Sequence, residues 1–307
     1  MVTAPPPTLS AIIATLNRAQ ALSNTLAAMA ELDLQGLNFE LIVVYQDNTD
    51  GSREVLKTFA ATAPFPVRAV FQCERSTSSA RNHALRLARG DVFIITDDDV
   101  IVERNWAQAT AKLFAENQHI LVGGKAELYS DDLNSDSIRL GDAPDQTTDL
   151  MRLFDFVIGC NMACSRSVIE QIGGFDERLG PGTPIKASED SDFVGRVLAA
   201  GIPVLYAPSI SVRHNHGRTT VKQRVKLLKG YSIGMGATLA KLTLRLGQRQ
   251  ARPVYWAVRS TFKFRVQQMG LWTGMLMNAY IIYGVVRFLF IDMHKPAHEN
   301  RAIRQSI

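Results

Sequence analysis

Cysteine is scarce in this chain of 307 residues. Cys73, Cys160 and Cys164 form an odd set, and none has neighbours of the kind that complete a zinc site. This argues against a disulfide-stapled extracellular fold and a structural zinc domain, and it indicates reduced thiols in the cytoplasm. The N-terminal segment MVTAPPPTLS has neither a basic region nor an apolar core, so we expect no signal peptide there.

Acidic residues are almost missing from the C-terminal third. Residues 216–307 hold 16 of the 34 Lys and Arg residues but only 2 of the 29 Asp and Glu residues. Such a shift predicts a boundary between a body, residues 1–215, and a basic extension, residues 216–307. The positive charge of the extension either balances the negative charge of the body or attracts the extension to an anionic surface. Nucleic acid is not the expected partner, because no nucleic-acid-binding motif accompanies the charge.

The body alternates between apolar runs of strand length and amphipathic helical segments. Strands that are apolar throughout, each followed by a helix, predict an α/β fold with a Rossmann-like, mostly parallel sheet flanked by helices. The extension adds helices, whereas the Asp- and Ser-rich stretch 125–157 is expected to be a surface connection. The predicted strands are residues 8–15, 40–45, 67–71, 91–96, 202–208 and 210–214.

Three consecutive aspartates, Asp97–Asp99, follow the fourth predicted strand. Ligands of open α/β sheets bind beyond the carboxyl ends of the strands, where polar groups from other predicted strands also lie. Mutual repulsion of three carboxylates must be relieved by protonation or by a cation. Oxygen ligands suit Mg²⁺ or Mn²⁺, which proteins often hold together with substrate phosphates. The alternative is a solvated acidic turn.

Several segments resemble family 2 glycosyltransferases of the GT-A fold. They occur in the family order and cover roughly residues 8–216. The resemblance implies a nucleotide-activated sugar donor, inversion at the anomeric carbon and a divalent metal. The matching segments are IIATLNR, TDGS, SARNHALRLARGDVFIITDDDV, GCNMACSRSVIEQIGGFDERLG and SEDSDF.

The resemblance also implies roles for individual residues. Asp97 and Asp99 would bind the Mg²⁺ or Mn²⁺ that bridges the donor's phosphates, together with His214 after the last body strand. Asp98 would lie nearer the ribose. The family usually has an acidic residue after the second strand to read the base, but this chain has Gln46 and Asp47, which leaves the nucleotide open. The implied nucleotide-sugar-binding residues are Thr15, Asn17, Arg18, Gln46, Asp47, Arg81, Asp97, Asp98 and Asn161.

Transfer to a hydroxyl also needs a proton acceptor, since the attacking oxygen must lose its proton. Asp190 matches the family's catalytic base and Glu189 matches its neighbour. The alternative interpretation of these acids is a favourable acidic first helical turn. The segment Gly173–Asp176 matches the acceptor-side element, and a helix cap is the alternative there.

An apolar stretch of 23 residues lies within the extension, at 269–291. Its length would span a bilayer, but Asn278, Arg287 and several glycines interrupt it. It therefore favours a partly buried interfacial helix over a spanning or a core helix. We expect the basic extension to hold the protein peripherally on the anionic inner face of the cell membrane, without supplying catalytic groups.

The sequence thus predicts an inverting, metal-dependent, hexosyltransferase-like enzyme. Its donor would be a nucleoside-diphosphate sugar, and its acceptor a hydroxyl of a glycan or a lipid-linked molecule in cell-surface polysaccharide synthesis. A nucleotidyltransferase acting on sugar phosphates is one alternative, although the ATLNR segment lacks the glycine-rich phosphate loop that it would need. A non-catalytic sugar-nucleotide-binding protein is the other.

Overall fold

The first half of the body is a parallel α/β unit. The computed structural model describes residues 8–46, 49–133, 140–154, 158–269 and 271–294. The first four strands are parallel and adjacent in the order β3-β2-β1-β4, which confirms the predicted alternation. The elements are β1 (Leu9–Leu16), α1 (Ala19–Ala30), β2 (Phe39–Gln46), α2 (Ser52–Thr62), β3 (Val67–Gln72), α3 (Thr77–Leu87) and β4 (Val92–Asp97).

The second half of the sheet is mixed rather than mostly parallel. After β4 the order continues β8-β6-β9-β5, and only the β6–β9 pairing is parallel. Short strands such as β8, with the sequence NMACS, give no periodic signal, so their antiparallel pairing was not predicted. The elements are β5 (Val100–Val102), α4 (Trp106–Glu116), β6 (Leu121–Leu128), β7 (Asp145–Thr147), β8 (Asn161–Ser165), α5 (Arg166–Ile172), α6 (Glu189–Ala199) and β9 (Val204–His214).

Two apolar cores cover the two faces of the sheet. Alternate residues of a strand point to opposite faces, so Ile12 of β1 joins one core while Ala11 and Ile13 join the other. The first core includes residues of α3, α5 and α6, and the second includes residues of α1, α2 and α4. Burial on both faces explains why the central residues of β1, β2 and β4 are apolar. The packed helices hold the sheet in place, and the polar residues lie at the carboxyl ends of its parallel strands.

The extension forms two long helical segments, α7 (Val221–Met269) and α8 (Leu271–His294). The first is broken at Gly247, whose φ of +75° lies outside the helical region. The two segments approach closely at two glycines. A Cβ on Gly236 would lie 2.0 Å from the Ile281 carbonyl oxygen, and one on Gly284 would lie 2.0 Å from that of Ile233. Any larger side chain at either position would force α7 and α8 apart.

One face of α8 is buried and the other is exposed. Met277, Ile281 and Phe288 pack inward, whereas Ile282 and Phe290 are more than half exposed. Within the described residues, Gly274–His294 is the one helical stretch that is long and apolar enough to cross a membrane. Length and composition are weak support for membrane association, because core helices share them.

A buried ion network ties the extension to the body. The Lys241 ammonium of α7 lies 2.6 Å from Asp176 and 2.7 Å from Asp192, and all three side chains are almost fully buried. Arg178 joins Asp176 to Asp292 of α8. The predicted boundary near residue 215 stays a prediction, but the extension packs firmly on the body.

Candidate active site

A pocket of about 410 Å³ opens at the carboxyl ends of β1, β2 and β4. These strands are neighbours in the sheet, so residues far apart in sequence meet there. We call it the strand-end pocket. Of the predicted site residues, its lining includes Thr15, Arg18, Gln46, Arg81, Asp97, Asp98, Asp99, Glu189, Asp190 and His214.

Asp98 is buried between β1 and the loop that follows it. It accepts hydrogen bonds from the Thr15 hydroxyl, at 2.6 Å, and from the Arg18 guanidinium, at 2.8 Å. Burial nevertheless dominates and raises the pKa of Asp98 to about 7, with Asp99 and Asp97 adding to the increase. The Arg18 side chain is 42% exposed, so it can turn toward a ligand without unfolding its surroundings.

Asp99 shares the Arg18 guanidinium with Asp98 but also lies beside His214. It accepts a hydrogen bond from Arg18 at 2.7 Å, and its Oδ1 lies 3.2 Å from His214 Nε2. Burial alone would raise the pKa of Asp99, but His214 and Arg18 outweigh it and lower the pKa to about 2. The antiparallel pairing of Val100 with His214, between β5 and β9, brings the histidine beside the aspartates.

Asp97, Asp99 and His214 form a group that could hold a divalent metal ion. One ligand atom from each lies within 4.8 Å of the others. Asp99 Oδ1 is buried and accepts no well-directed hydrogen bond from the described residues, so it has a lone pair to offer. Two carboxylates and one imidazole suit Mn²⁺ or Mg²⁺ when substrate oxygens complete the set. The residues present therefore fit the predicted ion.

A single buried guanidinium connects this group to Glu189, the neighbour of the predicted base. Arg81 donates to Asp97 at 2.9 Å and to Glu189 at 3.1 Å. Burial raises the pKa of Glu189 to about 7, and the negative charge of Asp190 adds to the rise although Arg81 opposes it. Arg81 is only 2% exposed, so this bridge is part of the interior of the site.

Asp190 is half-buried in the first turn of α6 and reaches into the pocket. One carboxylate oxygen accepts from the Gly159 backbone N–H at 3.2 Å, and the other accepts from the Ser191 N–H at 2.7 Å. A Cβ on Gly159 would lie 3.2 Å from Asp190 Oδ2, so the glycine gives the backbone room to approach. The carboxylate is thus held in place while it remains accessible.

Residues predicted to bind the nucleotide have different environments. Gln46 is buried, and its amide donates to the Ser76 carbonyl oxygen at 2.8 Å. Asn17 has a φ of 50°, and its side-chain oxygen accepts from the Thr49 N–H at 3.1 Å. Asp47 lies outside the described residues. Which of these side chains reads a base stays a prediction.

Two predicted elements contact the protein interior rather than the pocket. The Asn161 side chain accepts from the Trp106 indole at 3.1 Å and donates to two backbone carbonyls, at 2.8 and 2.9 Å. Those bonds tie β8 to its neighbours, so its predicted role beside the sugar remains untested. Within Gly173–Asp176, Asp176 belongs to the buried Lys241 network.

The extension lines the pocket as well, which the sequence did not indicate. Arg218, Leu227 and Tyr231 are among the lining residues. The extension thus forms part of the pocket wall, and the expectation that it supplies no catalytic group stays a prediction. The dense basic charge immediately after His216 was the one sequence signal that could have suggested this.

The family comparison decides the classification. The model of glycosyl transferase family 2 matches residues 10–173, just over half of the chain. The protein belongs to glycosyl transferase family 2. The predicted family and enzyme class, glycosyltransferase, are thereby confirmed.

Relatives of this glycosyltransferase are distant and longer. It is 28% identical to a pre-mycofactocin glycosyltransferase of Mycobacterium tuberculosis over 54% of this chain and 35% of the relative. It is 34% identical to the dolichol-phosphate mannosyltransferase of Pyrococcus furiosus over 30% of this chain and 26% of the relative. The chain thus spans about a third or less of the length of these curated relatives.

Solved structures confirm the GT-A fold of the glycosyltransferase. A mannosyltransferase from Pyrobaculum calidifontis, solved with GDP-mannose and Mn²⁺, superposes with a TM-score of 0.62 at 19% identity, covering 94% of this chain and 90% of that one. A TarS fragment from S. aureus gives 0.60 at 14% identity, covering 97% and 90%. At these identities the likeness concerns the fold alone.

Proposed function

We propose that this glycosyltransferase is an inverting, metal-dependent enzyme that moves a hexose from a nucleoside-diphosphate sugar to an acceptor hydroxyl. One observation carries the proposal: Arg81 bridges Asp97 of the candidate metal group and Glu189 beside the candidate base. The candidate metal ligands and the candidate base therefore line one pocket. A protein that only bound nucleotide sugars would not need a carboxylate held as Asp190 is.

The proposed reaction is a direct displacement. The acceptor oxygen bonds to the anomeric carbon from the side opposite the diphosphate, its proton passes to Asp190, and the bond from the anomeric carbon to the diphosphate oxygen breaks. The leaving group takes the bonding electron pair. Because attack and departure occur on opposite faces, the configuration inverts. Asp190 is accessible from the pocket and is fixed by two backbone N–H groups, which keeps its lone pairs oriented for this proton.

The charge of the departing diphosphate must also be compensated. Asp97, Asp99 and His214 would hold Mn²⁺ or Mg²⁺, which supplies Lewis-acid stabilisation of that charge when bound. Arg18 and Arg81 lie beside the same aspartates and add fixed positive charge. The complex of the Pyrobaculum mannosyltransferase with GDP-mannose and Mn²⁺ supports a similar donor and ion for this enzyme.

The extension supports one proposal for the acceptor and for the location of the enzyme. We propose a glycan or lipid-linked acceptor in cell-surface polysaccharide synthesis, with the enzyme bound peripherally to the inner membrane face. The support is the excess of Lys and Arg over Asp and Glu in residues 216–307, together with the exposed apolar face of α8. The Pyrococcus relative is named for a lipid phosphate, dolichol phosphate, which fits this choice.

The test is a panel of nucleoside-diphosphate sugars incubated with Mn²⁺, Mg²⁺ or EDTA, with release of nucleoside diphosphate as the readout. The proposal predicts metal-dependent turnover of one donor or a few, abolished by EDTA, and an inverted anomer in the product. Pyrophosphate release from a nucleoside triphosphate and a sugar phosphate would instead identify a nucleotidyltransferase. Binding without any turnover would identify a non-catalytic sugar-nucleotide-binding protein.

A further inference from the structure

A second cavity, of about 870 Å³, lies between α7, α8 and the loop that leads to α6. We call it the α7–α8 cavity. It adjoins the strand-end pocket, because Lys186, Ala187, Arg218, Leu227 and Tyr231 line both cavities. A molecule in the second cavity would therefore lie next to the first.

The charged residues lining the α7–α8 cavity are all cations. Lys226 and Lys229 come from α7, Arg287 comes from α8, and Lys186 and Arg218 stand at the junction with the strand-end pocket. No carboxylate is among the described residues of its lining. Cations gathered in a concave site repel one another and create a positive potential, which an anionic group relieves. The cavity is therefore suited to an anion.

Aromatic rings orient two of these cations. The Lys229 ammonium lies 4.6 Å from the centre of the Tyr280 ring, and Arg287 donates to the Tyr283 hydroxyl at 2.6 Å. Leu227 and Ile233 add apolar surface to the same wall. The combination suits a ligand that has both an anionic group and apolar or sugar surface.

The position of the cavity matches that of an acceptor. Lys186 and Ala187, at the junction, directly precede the α6 turn that carries Glu189 and Asp190. A group anchored by the cations would leave the adjoining part of the molecule beside the candidate base. The donor's diphosphate, by contrast, belongs with Asp97 and Asp99 in the strand-end pocket.

We propose that the α7–α8 cavity binds the phosphate ester of a phosphate-bearing acceptor and so presents the acceptor hydroxyl to Asp190. This inference rests on the proposed function, because it names the acceptor class of the same site. The phosphate could belong to the acceptor itself or to the headgroup of a membrane lipid. The wall shared with the strand-end pocket favours the acceptor.

The test measures binding to the full chain by calorimetry, with geranyl phosphate as the probe and geraniol as its uncharged counterpart. We expect saturable binding of geranyl phosphate, at least ~10-fold tighter than geraniol, because only the phosphate can engage the cations. Binding should persist with Mn²⁺ and excess UDP or GDP, which would occupy the strand-end pocket. Displacement by these nucleotides would overturn the proposal.

Charge-matched variants distinguish a built site from diffuse attraction. Lys226→Gln combined with Lys229→Gln should weaken geranyl phosphate binding by ~10-fold or more, since two charge-assisted contacts are lost. Lys222→Gln combined with Lys263→Gln removes the same charge from exposed positions on the same helix, outside the cavity, and should leave binding unchanged. Equal weakening by both pairs would overturn the proposal. Arg287→Gln gives an independent check from the opposite helix and should weaken binding in the same direction.

Vesicles distinguish the two sources of phosphate. If phosphatidylcholine vesicles containing phosphatidylglycerol require Lys226 and Lys229 while geranyl phosphate does not bind, the cavity holds a lipid headgroup and the acceptor assignment is wrong. All of these experiments measure binding and none measures turnover. If the cavity does not bind geranyl phosphate, the wild-type protein should still show metal-dependent donor turnover. If the proposed function is wrong, that turnover is absent.

Discussion

Asp97, Asp98 and Asp99 are adjacent in sequence but have three different sets of partners. Asp97 meets Arg81, Asp98 meets Thr15 and Arg18, and Asp99 meets Arg18 and His214. The opposite pKa shifts of Asp98 and Asp99 follow from those partners and from burial. Each of the three adjacent carboxylates thus has its own local environment. A bound cation would compensate the negative charge that these partners leave.

At the residue scale, Asp99→Asn should weaken Mn²⁺-dependent nucleoside diphosphate binding by more than ~10-fold, because even outer-shell partners of a metal commonly contribute that much. The Asn keeps the side-chain shape but removes the charge that attracts the ion. Calorimetric titration with and without Mn²⁺ measures this. Asp131→Asn, at an exposed carboxylate away from the pocket, is the control. Normal metal-dependent binding by Asp99→Asn would remove Asp99 from the metal group.

The residue roles were only partly predictable. A run of aspartates after a buried strand indicates a cation site, since the repulsion demands compensation. The pairing of Val100 with His214 depends on an antiparallel strand too short to detect, so the position of His214 beside Asp99 could be inferred only through the family resemblance. Asn161 illustrates the opposite case, because its two hydrogen bonds to the sheet and its one hydrogen bond from α4 leave no trace in the local sequence.

At the scale of elements, the start of α6 depends on its contact with α7. Ser188 precedes α6 with a φ of 71°, and a Cβ on Gly234 of α7 would lie 2.2 Å from its hydroxyl oxygen and 2.8 Å from its Cβ. This contact holds the turn that carries Glu189 and Asp190. The extension therefore supports the geometry of the candidate base as well as lining the pocket.

Gly234→Ala should lower stability by about 1–3 kcal/mol through overpacking and reduce turnover by displacing the α6 turn. Gly230→Ala is the matched control on the same helix, where a Cβ meets nothing within 4 Å. It should raise stability by about 0.5–1 kcal/mol, since alanine favours a helix interior more than glycine does. Urea unfolding measures the stability of the two variants, and a donor-turnover assay measures the activity of Gly234→Ala. Equal effects of the two variants would show that the α6–α7 contact is loose.

The buried ion network makes a second prediction at this scale. Lys241→Met leaves Asp176 and Asp192 without their shared cation, so it should destabilise the protein by about 3–5 kcal/mol. Lys222→Met, at an exposed position on the same helix, should change stability by less than about 0.5 kcal/mol. If Lys241→Met unfolds at the wild-type urea concentration, the network contributes no net stability.

The same network has a predictable pH dependence. Burial alone would raise the pKa of Asp176, but Lys241 and Arg178 hold it well below its usual range. A depressed carboxylate pKa contributes stability that is present above the pKa of the unfolded chain, about 4, and is lost as the pH falls below it. The stability difference between wild type and Lys241→Met should therefore narrow below about pH 4.

At the scale of the whole molecule, net positive charge and exposed large apolar side chains are concentrated in the extension. The sequence predicted this asymmetry, because composition changes abruptly near residue 215. It did not predict that α7 would pack on α6 and line both cavities, or that α8 would line the α7–α8 cavity, since those contacts join residues distant in sequence. The mixed second half of the sheet was missed for the same reason.

Membrane association is tested by flotation with phosphatidylcholine vesicles that contain phosphatidylglycerol. Ile282→Ser combined with Val286→Ser, on the exposed face of α8, should weaken binding by ~10-fold or more, because a fully buried aliphatic side chain is worth about 1.5–3 kcal/mol. Leu140→Ser combined with Met151→Ser is the control on the body. High salt should release part of the protein. If salt alone releases all of the protein, the contact with the membrane is purely electrostatic. If carbonate does not extract the protein, α8 spans the membrane.

The central claim is that a metal-held donor and the base Asp190 act in one pocket. The most direct measurement compares donor binding with sugar transfer in Asp190→Asn. We predict that Mn²⁺-dependent donor affinity stays within about twofold of wild type while transfer falls by about 10²–10⁴-fold, the usual contribution of a general base. Asp131→Asn should alter neither quantity. Near-wild-type transfer by Asp190→Asn, with its fold intact, would contradict the account.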